Sequence, residues 1–360
     1  MNKLNISFNQ FFLRVSLQEK VIFARHLAIM VKAGMPLLDA LRMLQKQTQS
    51  KSLAIILEKV VGDISNGQFL ATSLEKYKNV FGNLFVNIIR VGESSGILSE
   101  NLVYLSEELK KKKELQKQVL GAMIYPIIIL FATTILVTML TVFIFPKILP
   151  VFSSLNVALP LSTRILIATS NFLIADGLLL LGGIAIALIV FFVLLRIRTP
   201  RFVFHWCIVH TPLVRKMSVN VNMTNITRTL GLLLRSGVKI VEAINITSDT
   251  LSSLVYQREL ETMALQVQKG EQLAKYLATR PTYFPMMLTN MIAVGENTGN
   301  LSETLLYLSD FYESEVGETT KNLSSTLEPL LILVMGLIVG FVAVSIITPI
   351  YGLTQSVNKV

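Results

Sequence analysis

A single cysteine, Cys207, stands in 360 residues. That excludes a disulfide framework within the chain and a thiolate cluster for zinc or iron–sulfur. Histidine is almost as scarce, at positions 26, 205 and 210, and no HExxH occurs. His205, Cys207 and His210 read as packing residues rather than metal ligands, because three scattered donors after an apolar run lack the spacing of a closed site. No GxxxxGK[ST] phosphate loop is present, which excludes ATP hydrolysis of that kind. Nothing resembles a nucleophile elbow. No catalytic residue, metal or cofactor is expected. Alternating β-branched runs joined by Asn-Gly turns are missing as well, which argues against a sheet. Charge is sparse at 16%, against 52% hydrophobic residues. The chain is therefore too apolar for an ordinary soluble protein and too charged for membrane spans alone.

What is present begins with three long uncharged runs. They lie at about 119–145, 178–195 and 329–350, the third span opening with Leu327 and Glu328 so that it covers 327–350; a membrane core takes roughly 20 helical residues to cross. The first twenty residues lack a continuous apolar core and a small-residue cleavage site, so they do not read as a cleaved signal peptide. Lysine and arginine set the orientation. Lys110, Lys111, Lys112, Lys113 and Lys117 precede the first run, and Arg196, Arg198 and Arg201 follow the second. The connector 146–177 and the tail 351–360 carry few cations. The segments 1–118 and 196–326 are thus expected in the cytoplasm, with the N-terminus, and the connector and tail outside. The formal net charge of +10 sits mostly in 1–118, where juxtamembrane lysines face anionic lipid. No basic stripe interleaved with aromatics points to nucleic acid.

The two long segments repeat each other. At an offset of 203 residues, Arg25 meets Arg228, Gly34 meets Gly237, Phe81 meets Phe284 and Glu93 meets Glu296. Pro126, inside the first run, meets Pro329 at the start of the third. One offset held through a soluble segment and into the next span indicates duplication, with a period too long for a stacked solenoid. In VIFARHLAIMVKAG and RTLGLLLRSG, apolar residues recur at three- and four-residue spacing before a glycine stop, Gly34 or Gly237. The expectation is an all-α fold with two duplicated cytoplasmic helical-bundle domains and three transmembrane helices. Each bundle would hold about five or six short helices.

Within each copy a helix–turn–helix is expected around VGESSG at 91–96 and VGENTG at 294–299. Gly92 and Gly96, with Gly295 and Gly299, would supply unusual backbone angles. Glu93 and Glu296 would either cap the following helix or, as exposed acids, touch a basic partner or a divalent cation. Glu328, directly before Pro329, is either an interfacial anchor or the pairing partner of a charge on another subunit. Arg25 and Arg228 read as structural partners of acids. Pro126 and Pro329 are expected to kink or start helices. Gly182, Gly183, Gly336 and Gly340 would permit close helix approach.

These residues carry a resemblance. VKAGMPLLDAL, GESSGILSENL with its copy GENTGNLSETL, LPLSTR at 159–164, LEPLLIL from Leu327 and PIYGL at 349–353 are similar to the platform proteins of type IV pili, type II secretion and competence pseudopili, the GspF/PilC type. The likeness runs from about Ser16 to Gly352. It implies a multi-pass protein of the bacterial cytoplasmic (inner) membrane with no catalytic activity. Implied partners are a hexameric assembly ATPase, prepilin or pseudopilin subunits, membrane lipid and further copies of the chain. ATP-driven rotation of the ATPase would turn the platform and move pilins into the filament base. The segment before the first repeat is short, which implies that the N-terminal extension of some members is missing. A transporter or channel subunit is the alternative. It would require paired ionisable residues within the spans and inverted repeats, whereas these spans carry no charge at their centres.

Overall fold

A computed structural model describes residues 13–144, 146–147, 150, 161–195 and 197–357, and it is helical. The connector residues 151–160 and the terminal segments 1–12 and 358–360 lie outside the described residues. The chain separates into two compact units. One holds the described residues up to Gln118 together with Phe202–Gly317; the other holds Val119–Arg201 and the chain from Glu318 onward.

In the first unit α1 (Leu17–Lys32) opens on a capping box. Ser16 Oγ accepts from the Glu19 N–H at 3.3 Å while the Glu19 carboxylate accepts from the Ser16 N–H at 2.5 Å. Four helices follow: α2 (Leu37–Gln47), α3 (Lys51–Ser65), α4 (Leu70–Glu75) and α5 (Lys78–Phe81). Then come α6 (Asn83–Ser95) and α7 (Leu98–Met139). After α8 (Leu161–Leu194) and α9 (Arg198–His210), a second set begins with α10 (Pro212–Arg235). Its successors α11 (Ile240–Thr250), α12 (Leu254–Gln268), α13 (Leu273–Ala278) and α14 (Met286–Thr298) start and stop 203 residues after α2, α3, α4 and α6. The chain closes on α15 (Leu301–Val357).

Both sets bury their apolar faces in one hydrophobic cluster. Equivalent positions are filled differently. Phe23 and Phe85 stack in the first set with centroids 6.1 Å apart, and their counterparts are the smaller Ile226 and Leu288. The lost volume is returned by Tyr256, fully buried against Phe284, where the first set has Leu53. A core keeps its density when one large side chain is traded for another nearby.

The second unit holds the most apolar parts of the long helices. Two are long and apolar enough to cross a membrane, Leu98–Ile144 and Leu161–Leu180, or three if the bent pair Gly182–Leu194 and Arg198–His210 is one span. The third expected span appears among the described residues as a shorter apolar stretch of α15, Pro329–Ser345. Helix α8 starts at Leu161, well ahead of the apolar run expected from 178. Neither proline starts a helix. Pro126 lies inside α7 and Pro329 inside α15, because flanking turns on both sides keep helical geometry around the one missing N–H. At the end of α7 a π-turn, Leu140–Ile144, loosens the backbone, and the Ser170 hydroxyl donates to the Thr141 carbonyl there at 2.8 Å. Thr163 Oγ1 donates to the Ser345 carbonyl at 2.8 Å, joining α8 to α15 beside buried Leu166 and Val342. Hydroxyl bridges of this kind tie apolar helices where the hydrophobic effect between them is weak.

Candidate functional site

The duplicated glycine–acid segment is not a simple turn. Residues 91–95 are still helical in α6, which stops at Gly96 with φ +72°; α14 stops at Gly299 with φ +71°. Those angles lie in the left-handed region that only glycine enters without strain. Gly92 and Gly295 have ordinary helical angles, and their need for glycine is steric. A Cβ on Gly92 would stand 3.0 Å from the Leu98 Cα, and one on Gly295 would stand 2.8 Å from Thr304 Oγ1. The missing side chain lets α6 and α14 press against the first turn of the helix that follows.

Glu93 and Glu296 therefore point away from the helix they were expected to cap. Glu93 Oε1 accepts from the Leu70 N–H at 2.6 Å and Oε2 from the Ala71 N–H at 2.7 Å. Glu296 repeats this on Leu273 and Ala274 at 2.7 and 2.9 Å. Each carboxylate uses both oxygens on free amides at the start of a six-residue helix, α4 or α13, where the helix dipole also favours negative charge. A side chain 23 residues downstream supplies the cap because Phe69 and Gln272, at the N-cap positions, make no side-chain cap bond. Glu328 belongs to α15, but its side chain lies outside the described residues.

Where the two helix sets meet, an ionic cluster forms around Arg228, one of the two arginines read as partners of acids. Arg228, with a side chain only 5% exposed, lies 3.0 Å from Glu108 Oε2 and 2.6 Å from Glu313 Oε2. Burial pushes the Glu108 carboxyl up to about 7, against the pull of the Arg228 guanidinium. The Glu108 contact is close but poorly aligned: Arg228 Nε and Nη1 make no hydrogen bond among the described residues. Around it Lys111 pairs with Asp310 at 2.7 Å, and Arg235 stacks 4.5 Å above the Tyr104 ring. Arg25, the repeat partner of Arg228, is exposed and has no acid partner among the described residues. The structural reading thus holds for one arginine and not for the other, because only Arg228 is covered by a helix of the opposite set. The position equivalent to Glu108 is Phe311, so nothing in the repeat marks Glu108.

His205, Cys207 and His210 do not converge. His205 Nδ1 accepts from the Leu254 N–H at 3.1 Å, His210 contacts the Trp206 carbonyl at 2.8 Å, and Cys207 is exposed. Among the described residues no group of three or more His, Cys, Asp or Glu is placed to hold a metal ion.

Comparison with known proteins accounts for the paired geometry. The family described as "Type II secretion system (T2SS), protein F" matches twice, at residues 23–146 and 226–349. Both ends of the two matches are separated by the same 203 residues that relate the helices. The type IV pilus assembly protein PilC of Thermus thermophilus is 37% identical over 93% of this chain and 82% of its own length. The type II secretion system protein F of Aeromonas hydrophila is 31% identical over 95% and 88%. The type IV pilus assembly protein PilC of Pseudomonas aeruginosa is 28% identical over 96% and 92%. With a family match on each half and relatives of this identity along nearly its whole length, the chain belongs to the type II secretion system protein F family.

Proposed function

We propose that this chain is a non-enzymatic platform in the bacterial cytoplasmic membrane for assembly of a type IV pilus or a type II secretion pseudopilus. The observation that carries the reading is the double family match, in phase with the repeat, in a chain whose relatives are named for pilus assembly and for type II secretion. In this reading 1–118 and 196–326 are duplicated cytoplasmic helical bundles, joined by spans at 119–145, 178–195 and 327–350, with the N-terminus in the cytoplasm. The bundles receive the motion of a hexameric assembly ATPase, and the spans pass it to prepilin or pseudopilin subunits in the bilayer. Several copies of the chain assemble together in the lipid.

Glu93 and Glu296 act here as positioning residues. They hold α4 and α13 against their bundles and so shape the surface offered to the ATPase. Glu328 pairs with a charge on a pilin or a neighbouring platform subunit, since a charge close to the hydrocarbon is costly unless matched. The test is affinity purification of the tagged full chain from gently solubilised native membranes, with mass spectrometry of its companions. A hexameric secretion-type ATPase and prepilin-like subunits are expected. Neither, at good yield of intact protein, would overturn the platform reading and return the transporter alternative.

A further inference from the structure

The two helix sets of the first unit do not present equivalent faces. In the second set, α10 and α15 are covered by α7 of the first. Glu108 reaches Arg228 at 3.0 Å and Lys111 reaches Asp310 at 2.7 Å. Gln118 Nε2 lies 2.9 Å from where a Cβ on Gly317 would stand. Removing 203 from each number locates the same face on α1 and α7, and there it is open. Arg25 replaces Arg228, Lys110 replaces Glu313, Lys113 replaces Val316 and Lys117 replaces Thr320, while Glu107 replaces Asp310 and Glu114 replaces Gly317. Arg228, Val316 and Thr320 are buried, whereas Arg25, Lys110 and Lys117 are exposed.

A groove of about 350 Å³ runs between α1 and α7 at this place, lined by Arg25, His26, Lys110, Lys113, Glu114 and Lys117. Its one acid, Glu114, lies 3.8 Å from Lys110, and Lys113 donates to Gln18. Arg25 and Lys117 have no acid partner among the described residues. Ile22 and Ile29, on the same stretch of α1, are 42% and 57% exposed.

We propose that this groove binds an acid-bearing α-helix of a protein partner. The internal equivalent is the first argument, because the matching face of the second set is filled by a helix whose carboxylate meets the arginine. Charge is the second: four cations against one acid favour an acidic occupant and disfavour a basic one. The exposed isoleucines are the third. A helix lays apolar and acidic residues down together, and so matches the isoleucines and the cations at once. The chain's own first twelve residues contain Lys3 and no acid, so charge does not favour them as the occupant. This surface is deduced from the repeats, and its test stands apart from the platform reading.

The test uses the full chain in nanodiscs of zwitterionic phosphatidylcholine. The probe is a fluorescent peptide of residues 98–118 carrying Lys110→Glu, Lys113→Glu and Lys117→Glu; its twin has Gln at those three positions and at Glu108. Anisotropy should show the acidic peptide binding at least tenfold more tightly than the twin. Binding should fall at least tenfold in Arg25→Gln/Lys113→Gln. It should hold in the charge-matched control Lys46→Gln/Lys51→Gln, whose lysines are exposed elsewhere. Equal binding of peptide and twin, or of the wild type and the groove variant, would overturn the proposal. So would loss of binding when the discs contain 30% phosphatidylglycerol, with hydrogen-exchange protection appearing at residues 18–29 without peptide, which would assign the groove to lipid headgroups.

Discussion

Replacing Glu93 by Ala removes both acceptors from the start of α4. The Leu70 and Ala71 amides, now bonded to the carboxylate at 2.6 and 2.7 Å, would have to find water at a half-buried site. Hydrogen bonds to charged groups contribute about 1.5–3 kcal/mol each in favourable settings. Partial solvation of Glu93 lowers the pair to about 2–3 kcal/mol, or roughly 30- to 150-fold in a local opening equilibrium. Helix α4 is only six residues long, and a helix that short has no propensity to persist without external support. Hydrogen exchange with mass spectrometry on the full chain in detergent should therefore show the Leu70–Glu75 segment exchanging about 30- to 150-fold faster in Glu93→Ala. The Glu93→Gln variant, keeping one acceptor oxygen, should fall between the two. Glu296→Ala should do the same to Leu273–Ala278 and leave the first segment alone. Unchanged exchange at Leu70–Glu75 in Glu93→Ala would refute the capping argument and return the acid to the role of a free surface charge.

Other expectations follow from the same contacts. Gly295→Ala drives a Cβ against Thr304 Oγ1 and should cost about 1–3 kcal/mol by thermal unfolding in detergent, partly recovered by Thr304→Ala. Gly92→Ala meets the Leu98 backbone, so Asn101→Ala should not recover it. Glu108 carries a carboxyl raised from 4.5 to about 7, so between these values the folded chain holds more proton than the unfolded one. Stability should therefore decline as pH rises from 4.5 to 7 and stay low above it, by about 3 kcal/mol. Glu108→Gln should flatten that slope, and an unchanged slope would dismiss Glu108 as its source. Charge reversal at both Glu93 and Glu296 to Lys should stop filament assembly while the protein still inserts in the membrane, as read by pilus or pseudopilus yield against membrane fractionation.

Much of this protein follows from local chemistry along the chain. A glycine after an amphipathic stretch ends the helix at Gly34 and Gly237, and the offset of 203 carries nearly every helix boundary of the first set into the second. The charge-free run from 119 lies in one helix long and apolar enough to cross a membrane, Leu98–Ile144, whereas the run from 178 is divided between Leu161–Leu180 and the bent pair that follows. Other features depend on what happens to be nearby in space. Glu93 caps a helix that precedes it by 23 residues, a contact visible only once α6 has folded back across α4. Pro126 and Pro329 lie inside helices because the turns around them are already helical. Arg25 and Arg228 occupy the same position in duplicated sequences, yet one is open and the other is covered by α7 with its Glu108. Local periodicity is a property of each copy and repeats with it. The two copies meet through different faces, so the arginine that one of them buries the other leaves exposed.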